Sequence, residues 1–239
     1  MKHVIKRRNK VRKIRNLCVI LLCAGIEDRA KTQGSPALFD IDNSLLLDYQ
    51  IDVLRKIFAK CRILPVVGFE SEKVLASTHN EVEVVENQIY EETGTSESLR
   101  LALSATTSDN VLIIHGNTLF NQDVFVDVNF THPFVLYSKK ESDKVGVTEN
   151  DGKLENMSYG LDKKWSNIFF SNKETTKKLK RKLIPNKYTN RLMHEEINDL
   201  LETNRIYAFE EFSETLEINN YKVQKNEINN IIKERSTPI

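Results

Sequence analysis

Residues 17–50 read LCVILLCAGIEDRAKTQGSPALFDIDNSLLLDYQ, and the fold follows from how this stretch divides. Leu17 to Cys23 is an unbroken apolar run with no alternation of polar positions, and it stops at Ala24-Gly25. A short run of that kind reads as a strand buried on both faces, the habit of strands in parallel sheets. Open α/β sheets bind their ligands beyond the carboxyl ends of such strands. The backbone from Ala24 to Arg29 is therefore the first candidate for a binding loop. Farther on, Asn43 or Ser44 can cap a helix whose apolar positions Leu47, Ile51, Leu54 and Phe58 form one core-facing stripe.

The same rhythm continues outward. Arg62–Phe69 predicts a second strand, which Pro65 weakens or moves towards an edge because it has no N–H to donate. Ser71-Glu72 opens a short helix, Val82–Glu86 is a short strand, and Thr95 or Ser96 can cap a helix running to about Ala105. Val111–His115 is a buried strand ending in Gly116-Asn117. Strands alternating with helices at this spacing predict βαβ units and a Rossmann-like order. After Asn117 the pattern turns β-rich: short strands at Phe134–Tyr137, Val145–Val147 and Trp165–Phe170. Ser171 or Asn172 caps a basic helix over Thr176–Leu183, which Pro185 and Asn186 end. A further helix over Arg191–Glu202 and strands at Ile206–Phe209 and Leu216–Ile218 complete the reading.

With 239 residues, the chain is long enough for one large domain with a sizeable core. Hydrophobic residues at 40% and charged residues at 29% are ordinary for a soluble globular protein. No apolar run approaches the roughly 20 residues of a membrane span, and the N-terminus lacks the apolar segment of a secretory signal. Cys18, Cys23 and Cys61 cannot all pair and have no metal-ligand spacing, which predicts reduced thiols and a cytoplasmic setting. Residues 1–16 hold eight of the 35 Lys/Arg residues and none of the 34 acids, so the rest of the chain is acidic by seven. This basic arm reads as a solubilising tail or as a contact for nucleic acid or anionic lipid. Residues 17–239 read as a single domain.

The stretch from Cys23 to Gln50 also resembles a known family. Cys23-Ala24-Gly25-Ile26-Glu27-Asp28-Arg29, then Leu38-Phe39-Asp40-Ile41 and Leu46-Leu47-Asp48-Tyr49-Gln50, are similar to the start of the nucleotidyltransferases that activate sugar, choline or polyol phosphates. Asn87, Tyr90, Ser98 and Leu99 fit the segment that lies beside base and substrate in choline-phosphate-type members. Ile113–Phe120 fits the first metal-binding motif, and Glu217-Ile218-Asn219 fits the second. The resemblance covers most of residues 17–220. It implies a GT-A-type, three-layer αβα fold with a mostly parallel central sheet and a β-rich second half.

It also implies a chemistry. Nucleotidyl transfer brings an anionic nucleophile to an anionic triphosphate, so it depends on charge neutralisation and alignment. The resemblance assigns the phosphate loop to Ala24, Gly25, Ile26 and Glu27, and the cations to Arg29 and Lys31. Asn87, Tyr90, Ser98, His115 and Gly116 then fall beside the nucleotide, and Asn117 and Asn219 stand where the family places Mg²⁺-binding Asp residues. Four departures accompany it. Glu27 replaces a loop Gly, Pro36 or Ala37 stands at the loop Lys, and both metal positions carry amides, although Mg²⁺ favours anionic oxygens. Asp40, Asp42 and Asp123 are the acids available to compensate. The implied function is binding of an NTP, with CTP as the analogue of the choline-phosphate members, and of a small phosphorylated alcohol or sugar phosphate. Transfer is either weakened or lost, the latter giving a nucleotide-binding module that acts as a sensor or partner subunit. A glycosyltransferase is a third reading, but Asp123-Val124-Phe125-Val126-Asp127 does not supply the Asp-x-Asp metal motif it needs.

Each of these residues also has a plainer reading. Gly25, Asn117 and Asn219-Asn220 suit turns, His115 suits a hydrogen-bonded core histidine, Trp165 suits the core, and the Lys177–Lys182 helix suits a solvated face.

Overall fold

The apolar run at Leu17 forms a strand, β1 (Leu17–Leu22), in which every residue is buried. The computed structural model describes residues 12–25, 34–41, 43–140, 143–184, 190–220 and 222–233. After β1 come β2 (Asp40–Ile41), β3 (Ser44–Leu45), α1 (Leu46–Ile57), β4 (Arg62–Val67), α2 (Ser71–Ser77), β5 (Val85–Glu86), α3 (Thr95–Ala105), β6 (Asn110–His115) and β7 (Thr118–Leu119). The second half adds β8 (Phe134–Tyr137), β9 (Val145–Asn150), β10 (Lys153–Tyr159), β11 (Lys163–Ser171), α4 (Lys173–Lys182), α5 (Met193–Leu201), β12 (Tyr207–Glu210), β13 (Leu216–Glu217) and α6 (Lys225–Lys233).

Nine strands make one sheet in the order β5-β4-β1-β6-β11-β8-β12-β10-β9. β5, β4, β1 and β6 run parallel. β11 then joins β6 antiparallel and also pairs with β9, so that β11, β8, β12, β10 and β9 close into a small barrel-like unit. The fold is thus mixed α/β. The expectation of a mostly parallel sheet holds for its first half only, because the second half is built from antiparallel neighbours plus the one parallel pair β8–β12.

Alternation along β1 feeds two cores. Val19 and Leu21 face a cluster with α1 residues Leu47, Ile51 and Leu54 and α6 residues Ile228 and Ile231. Cys18, Ile20 and Leu22 face another with Leu99 and Leu103 of α3, Leu179 of α4 and Ile197 of α5. Each fully buried aliphatic side chain contributes about 1.5–3 kcal/mol relative to exposure, which is why the strand tolerates no polar position.

Several local readings change. Pro65 sits inside β4, paired with Leu21 of β1. The Val66 carbonyl accepts from Cys23 and the Val67 carbonyl from Asn87, so strand alternation turns the donorless Pro65 nitrogen towards β5. β5 begins only opposite Val66, and no ladder bond is forfeited. Neither Asn43 nor Ser44 caps α1: Asn43, at φ +63°, closes the β2–β3 hairpin, and Ser44 belongs to β3. Gly94, not Thr95 or Ser96, precedes α3, and Thr95 Oγ1 instead accepts from the Met193 N–H at 2.8 Å. Asn172 does cap α4, accepting from Thr175 N–H at 3.2 Å. The α4 lysines are largely engaged within the domain: Lys173 with Asp109, Lys178 with the Thr203 carbonyl and Asn204, Lys180 with the Thr106 carbonyl and Lys182 with Asp199. Of the basic arm, residues 12–16 are described, and the Arg12 guanidinium donates to the Phe125 and Val128 carbonyls while lying over the Phe130 ring. No helix among the described residues is long and apolar enough to cross a membrane.

Candidate functional site

β1 and β6 are neighbours in register, Leu22 opposite His115, so their carboxyl ends open side by side. There the Gly116 N–H donates to the Leu22 carbonyl at 2.8 Å. A Cβ on Gly116 would meet the Cys23 Cα at 2.9 Å and the Leu22 carbonyl at 2.9 Å, so only glycine allows this approach. Gly25 has the opposite surroundings: nothing lies within 4 Å of where its Cβ would be, and its backbone is bare towards the cavity. The turn after β6 is held from two sides. The buried Gln50 amide donates to the Gly116 and Thr118 carbonyls, at 3.2 and 2.7 Å, and the Asn117 carbonyl accepts from Ile218 N–H at 2.8 Å.

These strand ends form the floor of a cleft of about 1120 Å³. Ala24, Gly25, Asn87, Tyr90, Ser98, His115, Gly116, Asn117 and Asn219, all named from the sequence, line it. Ile26, Glu27, Arg29 and Lys31 lie outside the described residues, as does Asp42. Neither Asp40 nor Asp123 lines the cleft: Asp40 Oδ1 accepts from Asn43 N–H in the hairpin, and Asp123 N–H donates to Asn121 Oδ1.

The wall from Asn87 to Ser98 is knitted internally. Asn87 donates to Thr93 Oγ1 at 3.0 Å and Ser98 Oγ at 3.1 Å and accepts from Ile89 N–H, so its side chain shapes the loop rather than reaching into the cavity. The facing wall comes from the closed half of the sheet. There β11 bulges between Trp165 and Phe169, and Asn167 takes φ +59°, a left-handed conformation uncommon outside glycine, which aims this residue at the cleft. Trp165, 2% exposed, anchors the bulge through Nε1–H to the Ile168 carbonyl at 3.1 Å and packs edge-on against His115. Glu211 clamps the other side of the bulge, accepting from Ser166, Thr215 Oγ1 and Thr215 N–H.

Sequence reasoning did not single out Asp143, Lys144, Tyr159, Asn167 or His194 as cleft residues, nor Glu217 as more than a neighbour of Asn219. No spacing rule links these positions, which come from the approach to β9, from β10, β11, α5 and the β13–β7 ladder and meet only in the folded chain. Glu217 is 11% exposed and pairs with Lys144 and Lys164, both at 3.6 Å. Burial pushes the His115 imidazole down to about 4, opposed by the Glu217 charge and reinforced by His194. Among the described residues its shielded Nε2 has no hydrogen-bond partner, unlike the bonded core histidine expected from the sequence. At neutral pH it is an uncharged group. His194, stacked edge-on with Tyr159, is likewise lowered by burial.

The donor set does not fit Mg²⁺ held by paired carboxylates. Asn117 and Asn219 offer neutral amide oxygens, Glu217 is already shared by two ammonium groups, and no group of three His, Cys, Asp or Glu among the described residues could hold a metal.

No protein-family model matches this chain. No curated protein sequence matches it either. Solved structures do. The inositol-1-phosphate CTP transferase from T. maritima aligns with TM-score 0.69 and 20% identity over 91% of this chain and 96% of its own. The CTP:phosphocholine cytidylyltransferase from Streptococcus pneumoniae aligns with TM-score 0.70 and 18% identity over 90% and 99%. A UDP-glucose pyrophosphorylase complexed with UDP-glucose aligns with TM-score 0.69 and 12% identity over 94% and 100%. The chain has the fold of these nucleotidyltransferases. At such identities the likeness is one of architecture, and it extends over nearly the whole of each partner.

Proposed function

We propose that the cleft binds a nucleoside triphosphate, with CTP the first to test, together with a small phosphorylated alcohol or sugar phosphate, and that transfer between them is slow or absent. The scaffold is read as GT-A-type, three layers deep. The observation that carries the proposal is the meeting of bare backbone at Gly25, the Gly116-Asn117 turn and Asn219 in one cleft, with amides at both positions where the resemblance implies metal-binding carboxylates. In this reading Ala24, Gly25, Ile26 and Glu27 face the phosphates and Arg29 and Lys31 supply cations. The knitted Asn87–Ser98 wall receives the base, and the Trp165–His194 side receives the acceptor. The neighbours whose names include CTP support the base preference. A protein that keeps the pocket and loses the transfer acts as a sensor or as a partner subunit.

A thermal-shift screen of nucleoside triphosphates and nucleotide-sugars, with and without Mg²⁺, tests this, with pyrophosphate release measured in parallel while phosphorylated alcohols and sugar phosphates are supplied as acceptors. Stabilisation by a nucleotide with little or no pyrophosphate released is the expected result. Asn117→Asp restores an anionic oxygen and is expected to raise any basal release. Rapid release by the unaltered protein would instead make it a working transferase, and no stabilisation by any nucleotide would leave the fold without the function.

A further inference from the structure

One polar side chain of the cleft is buried and bonds to nothing in the protein. Asn167 is 8% exposed and lines the cavity, and among the described residues no group donates to or accepts from its carboxamide. Its polar atoms, unlike the shielded Nε2 of His115, are open to the cavity. A buried amide costs free energy unless a ligand or water completes it. The fold nevertheless holds this one firmly. Asn167 takes φ +59° within the bulge of β11, and the residues on either side of it are both tied down: Ser166 donates to Glu211, and the Ile168 carbonyl accepts from Trp165 Nε1–H. Ile168 is the partner of Ile114 on β6, so one step farther along the two strands Asn167 and His115 stand opposite each other at the end of the ladder. Bulges beside binding sites re-aim side chains in this way.

The carboxamide offers an acceptor oxygen and two N–H donors. Burial holds both His115 and His194 below the ordinary imidazole value, so the histidines on this side of the cleft are uncharged at neutral pH. Trp165 is 2% exposed and presents little bare indole face to a ligand. A hydroxyl both donates and accepts, and two hydroxyls on adjacent carbons can take the oxygen and an N–H of one amide together. A trimethylammonium group can do neither and would leave the amide desolvated and unpaired. We infer that Asn167 is a specificity residue that reads hydroxyl groups of the acceptor, so that the phosphorylated ligand is a polyol or sugar phosphate and not the phosphate of an alkylammonium alcohol. This inference rests on the nucleotide reading above, which puts the acceptor on the Trp165–His194 side. A site that hydrogen-bonds a hydroxyl discriminates against ligands lacking it, because its own polar group is then left without a partner.

The test is calorimetric titration of the full chain with ribitol 5-phosphate, glucose 1-phosphate and choline phosphate, each with and without CTP. At least one hydroxylated phosphate is expected to bind about tenfold more tightly than choline phosphate. Asn167→Gly removes the carboxamide alone, since glycine adopts φ +59° without strain and the bulge keeps its shape. It should weaken the hydroxylated ligand about tenfold while choline phosphate binds no more weakly than before, a split that a damaged fold cannot produce. Choline phosphate binding as tightly as the polyol and sugar phosphates overturns the inference. So does unchanged affinity for them in Asn167→Gly. Binding of CTP with no binding of any acceptor overturns it and leaves the nucleotide reading standing, while no binding of nucleotide or acceptor overturns both. Acceptors that bind in the expected order to a protein that takes no CTP would keep the role of Asn167 and remove the nucleotide.

Discussion

In the parallel half of the sheet, β1 and β6 deliver Gly25, His115 and Asn117 to the cleft simply by ending there. In the closed half, Asn167 reaches it through a bulge in β11, and Glu217 comes in beside it on the separate two-residue ladder of β13 with β7. The first half fixes its residues by close backbone approach, as at Gly116. The second fixes them by side-chain clamps, as at Glu211. A site made in the first way is lost when a strand end is displaced. One made in the second way can change its chemistry one side chain at a time.

The comparison predicts that substitutions in the parallel half cost more. Gly116→Ala puts a Cβ against the Cys23 and Leu22 backbone, and a loss of about 3 kcal/mol is expected in urea denaturation. A loss under 1 kcal/mol would mean the strand ends yield easily and the contrast is false. Gln50→Leu strips donors from the Gly116 and Thr118 carbonyls and should cost roughly 1–2 kcal/mol, because Gln50 Oε1, which has no hydrogen-bond partner among the described residues, is relieved at the same time. Ligand affinity should fall further than stability does, since the Asn117 turn is what loosens.

Glu211→Gln, in the closed half, should stay within about 1 kcal/mol at pH 7. Burial raises the Glu211 carboxyl, outweighing the hydrogen bonds from Ser166 and Thr215. Its protonated form is therefore favoured by folding, and that contribution is lost as pH rises through the folded-state value. Glutamine mimics the neutral form, so the variant should gain on the unaltered protein as pH rises above the ordinary carboxyl value of 4.5. A steady loss over that range would show that the ionised form is the one required.

The smallest neutral-pH effect belongs to His115, at the seam between the halves. Its neutral form is favoured by the fold, so its contribution is complete above the ordinary value of 6.5 and is lost as pH falls towards about 4. His115→Leu should change stability by less than about 1 kcal/mol at pH 7 while flattening the decline between pH 6.5 and 4. Parallel slopes for the two proteins would place the acid sensitivity elsewhere.

Legibility followed the same division. β1 and β6 are apolar runs buried on both faces, and such runs announce themselves without any partner. β10 gave no such sign. Leu154 and Met157 both face the core although they are three residues apart, because a bulge after Leu154 shifts the register, so the two-residue alternation that marks a strand is absent. α6 was likewise unread, its Ile228, Ile231 and Ile232 being set among polar residues that mask the stripe. In Leu46–Gln50 the apolar positions were readable as a helix face, but the Gln50 bond to a turn 66 residues away was not.

By itself the sequence determined the α/β class, the strand after which the candidate loop begins, and the amides at 117 and 219, because burial on both faces and residue identity are local properties. Tertiary structure alone decided that the second half closes through β9 and β11, that Glu217 is flanked by Lys144 and Lys164, and that Asn167 is turned towards the cleft. Those facts depend on register and closure between segments far apart in the chain, which no local pattern of residues encodes.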